Sequence, residues 1–383
     1  MKRMNPRERV LTTSEHREPD RIPFDLGSTK VTGITRNAYL DLVRHLGEEI
    51  GTFEFYDVTQ QLAVMQEGIL RRLEVDTRGL MPNVVRKTPH IEDHRDFRSF
   101  IDEWGMSWRM PKDGLYFDLV KSPLAGDITA KDIEDFPWPD PTDESLLNGL
   151  REKAERWYQE GYAIILESVC AGIFEMSCRV RGYEQFYMDL ALNPQLACKL
   201  LDEFVELKLQ FYKLAAEELG GYVQFIREGD DVAGQGSLLI SPDSYRKYVK
   251  PRHAELFKAQ REMFPEPFYV FFHSDGAIYE LIPDFIEVGI DILNPVQVSA
   301  EGMSTRRLKQ EFGRDLVFWG GAIDPQAFAR SSAKDVKREV RRRIEDLAQG
   351  GGFIFGPIHN IQDDVPPENI MAMWKTFREM REY

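Results

Sequence analysis

A chain of 383 residues with a formal net charge of −15 is poorly suited to nucleic acid, because neutralising phosphates takes clustered Lys and Arg. Its 42% hydrophobic content is enough for a packed core, while no run of about 18 apolar residues offers a membrane span. Three cysteines, Cys170, Cys178 and Cys198, form no Cys-x-x-Cys pair, which argues against a disulfide framework and fits a reducing compartment.

Met1-Lys-Arg-Met-Asn-Pro-Arg-Glu-Arg-Val10 is charged and has no apolar h-region, so a cytoplasmic location is expected. Arg21-Ile-Pro-Phe-Asp-Leu26 reads as an opening strand, and Arg36–Gly47 does not cleanly repeat the later pattern. Val84 to Phe117, with Trp104, Trp108 and Pro111, suggests a β-hairpin excursion. Pro137-Trp-Pro-Asp-Pro141 is a turn-rich connector, since no flexible Gly/Ser stretch surrounds it.

From about residue 160 the pattern becomes regular. Strands are predicted at Ala163–Leu166, Tyr222–Ile226, Phe268–Phe272, Ile290–Leu293, Leu316–Trp319 and Gly352–Phe355. Helical periods lie between them over 184–188, 195–219, 245–264, 277–288, 305–312 and 333–349. The basic run Lys334 to Arg343 suits a solvated helix face. Alternation of this kind signals a parallel sheet with helical crossovers. An open doubly wound sheet fits it too, but no Gly-x-Gly-x-x-Gly follows a strand, and length and strand count favour a (β/α)8 TIM-type barrel. The expected organisation is a single α/β domain over 1–383, with an elaborated region at 1–160 and regular repeats at 161–383.

Barrel chemistry gathers where strands end. Glu167, the run Arg227-Glu-Gly-Asp-Asp231, the run His273-Ser-Asp-Gly276 and the run Gly356-Pro-Ile-His-Asn360 all fall at such ends. His273 and Asp275, one residue apart after a strand, can turn toward one point, and His359 would complete a His/Asp/His set for a divalent ion with an open position. Alternatively, His273 caps a neighbouring helix and Asp275 begins it. Glu228, Asp230 and Asp231 repel unless paired, protonated or facing a cation. They are assigned as the catalytic carboxylates, with salt bridges to Arg227, Arg179 or Arg181 as the competing explanation. Glu167, Asp25 and Gln235 are assigned to substrate binding, and Cys170 and Cys178 to the core.

Four segments together carry a resemblance. Glu18-Pro-Asp-Arg-Ile-Pro-Phe24, the run Gly229 to Pro242 with Tyr245 and Pro251-Arg-His253, Trp319-Gly-Gly-Ala-Ile-Asp-Pro325, and Gly352 through Pro366-Pro-Glu-Asn-Ile370 make the chain similar to the uroporphyrinogen-decarboxylase superfamily over nearly its whole length. Authentic members carry Arg-Gln-Ala-Gly-Arg-Tyr after the first strand. Here that place reads Asp25-Leu-Gly-Ser-Thr-Lys30, so coproporphyrinogen formation is not expected.

The chain more closely resembles the branch of zinc methyltransferases that work with corrinoid proteins or thiol acceptors. In that branch a His-x-Cys pair and a later Cys bind zinc; the matching positions here are His273, Asp275 and His359. Replacing two thiolates by oxygen and nitrogen ligands implies a Lewis acid acting on an oxygen rather than a thiol activator. The resemblance thus implies a metal-dependent methyltransferase with zinc as the expected ion. A methyl group would pass from a small O-methyl or N-methyl donor to a separate corrinoid protein, because this chain has no Asp-x-His-x-x-Gly segment of its own. A homodimer is a further expectation from the relatives. The alternatives are a decarboxylase or lyase of a small acid or porphyrinogen-like substrate, and a non-catalytic ligand-binding barrel.

Overall fold

The computed structural model describes residues 3–83 and 90–383. Seven parallel strands follow one another around a curled sheet: β1 (Thr77–Leu80), β2 (Ala163–Glu167), β3 (Phe225–Gly229), β4 (Tyr269–His273), β5 (Ile292–Asn294), β6 (Val317–Trp319) and β7 (Phe353–Ile354). The predicted opening strand contributes only a bridge, but that bridge closes the barrel. Phe24 pairs in parallel with Phe355, just past β7, and the Asp76 N–H just before β1 donates to the Phe24 carbonyl at 2.9 Å. Residues 23–25 therefore occupy the eighth position, and the architecture is a TIM-type barrel.

Strand alternation sorts the side chains. Ala163, Ile165, Phe225, Phe271, Ile292, Val317, Trp319 and Ile354 point inward and form a cluster of their own within the barrel. Residues such as Leu166, Ile226, Phe272 and Phe318 point outward into the larger core beneath the helices. The same alternation decides which polar residues at the strand ends face the mouth.

The first four predicted strands run on by one to three residues toward their polar ends, whereas the last two are trimmed to Val317–Trp319 and Phe353–Ile354. Tyr222–Ile226 becomes Phe225–Gly229, and just before it the Gln224 Oε1 accepts the Ile164 N–H at 3.1 Å. β1 had no apolar run to announce it. Its Arg78 is buried by stacking 3.7 Å over the Tyr162 ring and donating to Glu67 at 2.8 and 3.0 Å.

Between β1 and β2, the expected hairpin is a four-stranded antiparallel sheet: Glu92–Asp93, Phe97–Ile101, Ser107–Pro111 and Asp118–Lys121. The first part of the predicted excursion, 84–89, lies outside the described residues. The sheet packs on the helix Pro194–Leu219, with the Trp104 and Phe204 ring centroids 5.8 Å apart. The helix Ala333–Leu347 carries the basic run, burying Val336, Val340, Arg343, Ile344 and Leu347 on its inner face. Among the described residues, no helix is long and apolar enough to cross a membrane.

Candidate metal centre

His273 is the last residue of β4 and faces inward, in register with Asn294 of β5. The orientation of its ring follows from a short chain of hydrogen bonds. The Asn294 amide Nδ2 donates to the Trp319 carbonyl at 2.8 Å, which leaves Oδ1 facing His273 as an acceptor. His273 Nδ1 lies 2.6 Å from that oxygen and so carries the hydrogen. Nε2 is left with its lone pair turned into the mouth, as a metal-ligating imidazole needs.

His359, after β7, turns toward the same point. Asp275 Oδ2 lies 3.7 Å from His273 Nε2 and 3.7 Å from His359 Nε2. One ligand atom from each of the three residues falls within 4.8 Å of the others. Ligands of a tetrahedral zinc at about 2.0–2.1 Å stand roughly 3.4 Å from one another, so the two 3.7 Å separations need slight contraction, while the two imidazoles, within 4.8 Å of each other, would close by more. Asp275 Oδ1 is covered and has no hydrogen-bond partner among the described residues, so its carboxylate is left unsatisfied. The nitrogen, oxygen and nitrogen donors suit zinc or another divalent ion.

The charge around these three residues favours a cation. Burial opposes ionisation of Asp275, but His359, His273 and Arg227 overcome it and hold the carboxyl down to about 2. Burial also opposes protonation of both imidazoles. For His273 the nearby Asp275 prevails and raises it, whereas His359 remains lowered. Asp231 accepts the Asp275 N–H at 2.9 Å and its Oδ1 lies 3.9 Å from His273 Nε2. Burial first, then Asp275, push its carboxyl up. Glu175, paired with Arg179, is likewise raised by burial. Four carboxylates (Glu167, Glu175, Asp231 and Asp275) thus meet two guanidinium groups, Arg179 and Arg227.

The other assigned residues separate by strand face and depth. Glu228 points outward, away from the mouth. It accepts from Lys208 Nζ at 2.7 Å, the Tyr212 hydroxyl at 2.5 Å and Gln260 Nε2 at 3.0 Å, and this corrects its assignment as a catalytic carboxylate. Asp230 is fully buried and accepts the Phe174 and Glu175 N–H groups at 3.0 and 2.7 Å, so it caps the helix Ile173–Arg181. His253 reaches the same carboxylate at 2.9 Å. Asp230 therefore fixes the wall of the mouth rather than facing it, a second correction. Of the three, Asp231 alone stands beside the His/Asp/His group.

The substrate-binding assignments separate in the same way. Asp25 is fully buried, accepting from Thr77 Oγ1 at 2.5 Å and Trp319 Nε1 at 2.8 Å, and burial pushes its carboxyl up. It ties the closing segment to β1 and β6, so its assignment to substrate is corrected. Gln235 is exposed in the loop after β3, where its carbonyl accepts the Glu301 N–H at 2.9 Å, and it is not one of the three converging ligands. Glu167 remains at the mouth, accepting the Lys30 N–H at 2.8 Å and pairing with Arg227 Nη1 at 3.2 Å. Cys170 and Cys178 are buried free thiols, raised by burial, Cys170 to about 11. A cleft of about 720 Å³ lies beside the mouth under the antiparallel sheet, lined by Tyr56, Phe100, Trp104, Trp108 and Met176, with Arg179 in its wall.

Asn294 was not singled out from the sequence, although an amide ending the strand next to His273 is the available signal. Replacing it with Leu frees the His273 ring to rotate and removes the bond that fixes its tautomer. Zinc affinity is expected to fall about 10–100-fold, as judged by competition with a chromophoric chelator, with secondary structure unchanged. Unaltered affinity would show that the ring needs no such support.

The sequence model of the family described as uroporphyrinogen decarboxylase (URO-D) matches residues 113–380, more than half of the chain. A uroporphyrinogen decarboxylase of Syntrophotalea carbinolica is 27% identical over 179 residues, which are 46% of this chain and 46% of that protein. A methylated-thiol--coenzyme M methyltransferase of Methanosarcina mazei is 23% identical over 251 residues, 64% of this chain and 62% of that protein. In both comparisons the matched part is less than two thirds of the relative. The solved structure of a methyltransferase from Methanosarcina mazei superposes with a TM-score of 0.67 and 16% identity, covering 98% of this chain and 99% of that one. That likeness establishes a shared fold.

Proposed function

Because the chain belongs to the uroporphyrinogen decarboxylase family, we propose that it is a metal-dependent methyltransferase, taking a methyl group from a small O-methyl or N-methyl donor to a separate corrinoid protein. The observation that carries this reading is the convergence of His273, Asp275 and His359 on one point at the barrel mouth. A relative named as a methyltransferase, and a solved methyltransferase sharing the whole fold, support the reaction class.

These three residues would hold the ion, with zinc the best match to two imidazoles and a carboxylate. When bound, the ion supplies Lewis acidity toward the oxygen or nitrogen that the methyl group leaves. As the carbon–heteroatom bond breaks, its electron pair stays on the heteroatom and the methyl group passes to the corrinoid acceptor. Asp231, whose Oδ1 lies 3.9 Å from His273 Nε2, is the carboxyl that would return a proton to the departing atom. His273 is held in place by Asn294, so the donor set is preorganised. The neighbouring aromatic cleft has room for the non-reacting part of a drug-sized substrate.

The test is methyl transfer from a panel of methoxylated and methylated-amine compounds to cob(I)alamin, followed as loss of its absorbance. Transfer that disappears on chelation and returns with zinc is expected. Turnover unaffected by chelation would defeat the metal-dependent mechanism. The second reading is decarboxylation, favoured by the decarboxylases among the relatives. It would release carbon dioxide from a small acid with no corrinoid present.

A further inference from the structure

Arg227 has an unusual position for a charged residue. On β3 it alternates with the inward Phe225, and register sets it beside Glu167 on β2 and Phe271 on β4. The next inward position is Gly229, opposite His273. A Cβ on Gly229 would lie 2.6 Å from the His273 carbonyl, 2.9 Å from its Cβ and 3.3 Å from Arg227 Nη2. The guanidinium therefore rises through the gap that glycine leaves and comes up beside His273.

Its donors are largely unspent. The residue is 7% exposed, and among the described residues its side chain makes one hydrogen bond, from Nη1 to Glu167 Oε1 at 3.2 Å. Nε is completely covered and has no partner. Glu167 has little left to offer, because its two oxygens also take the Lys30 N–H at 2.8 Å and the Ser168 N–H at 3.2 Å. Arg179 differs, since its guanidinium is paired with Glu175 and sits 5.7 Å over the Trp108 ring. A guanidinium withdrawn from water keeps free donors at a cost, which a ligand with matching acceptors removes. The planar fork of Arg matches the two oxygens of a carboxylate.

We infer that Arg227 anchors a carboxylate of the substrate at the barrel mouth, so that the methyl donor is a small organic acid. The inference rests on the proposed methyl transfer for naming that acid the methyl donor and for where its remainder lies; the contact between Arg227 and a carboxylate stands without it. Arg227 acts here as a binding and specificity residue, and the aromatic cleft would take the flat or apolar body of the acid.

The experiment is titration calorimetry of the full-length protein with benzoate and with its neutral counterpart benzamide, both as purified and after chelation. Benzoate is expected to bind about tenfold more tightly than benzamide in both preparations, a difference of one decade. Arg227→Gln should bring the ratio close to one. Arg227→Lys, which keeps the charge but loses the fork, should retain part of the preference and guards against a variant that merely misfolds. Equal binding of the two compounds by the wild type, or an unchanged ratio in Arg227→Gln, would overturn the proposal. A preference seen only before chelation would assign the carboxylate to the metal instead, and would overturn it as well. Because the preference is read in the chelated protein too, failure of the metal centre leaves the Arg227 result standing.

Discussion

His359→Ala is expected to lower zinc affinity by roughly 100-fold. Zinc sites assembled from four ligands bind with about 10–16 kcal/mol near neutral pH, so one ligand accounts for about 3 kcal/mol, or two decades. The loss is expected to exceed that of Asn294→Leu, which leaves all three donors in place. His359 is half-buried at the rim, 3.7 Å from Asp275, and makes no structural hydrogen bond among the described residues, so the fold should survive its removal. The checks are metal content after dialysis and unfolding by urea. Wild-type zinc retention in His359→Ala would remove this residue from the donor set, and a fall in stability with metal retained would make its role structural.

Glu228→Ala is expected to destabilise the protein by about 3–5 kcal/mol, because it leaves the Lys208 ammonium buried without its partner. Lys208 is fully buried on the helix Pro194–Leu219 and also donates to Ser168 Oγ at 2.6 Å and to the Cys170 carbonyl at 3.4 Å. The pair therefore ties that helix to the loop after β2, which forms part of the mouth. A Lys208→Met/Glu228→Leu double variant should recover much of the loss, since apolar residues of similar volume often replace a buried ion pair without penalty. Denaturant unfolding of the three proteins supplies the comparison. A catalytic Glu228 would instead show full stability and lost turnover in the single variant.

The difference between Glu228 and its neighbours shows what the sequence could and could not supply. Three carboxylates within four residues suggested one cluster, yet the period of two along β3 sends Glu228 outward between the inward Arg227 and Gly229. That separation follows from the period of two once the strand is carried on to Gly229. The role of Asp230 does not, because the helix start it caps comes from residues 173–175, more than fifty positions away. Local spacing cannot show which distant N–H groups a carboxylate will meet.

The barrel was legible for a related reason. Fully buried parallel strands leave continuous apolar runs, and six of them could be placed to within a few residues. β1 has no such run, since Thr77, Arg78 and Gly79 occupy most of it, and its burial depends on Glu67 and Tyr162 elsewhere in the chain. His273, Asp275 and His359 were legible because they stand at strand ends, where the barrel concentrates its polar groups. Asn294 and Arg227 took tertiary context to recognise: one through its contact with His273, the other through the space beside Gly229.

A divalent ion at this mouth would be held without sulfur. Cys170 and Cys178 are buried away from the His/Asp/His group, which provides only nitrogen and oxygen. X-ray absorption at the zinc edge of the zinc-loaded protein measures this directly. The predicted first shell has two imidazole nitrogens and oxygen at about 2.0–2.2 Å, and the imidazole signal halves in His359→Ala. A sulfur shell at about 2.3 Å, or a spectrum indistinguishable from hydrated zinc, would contradict it.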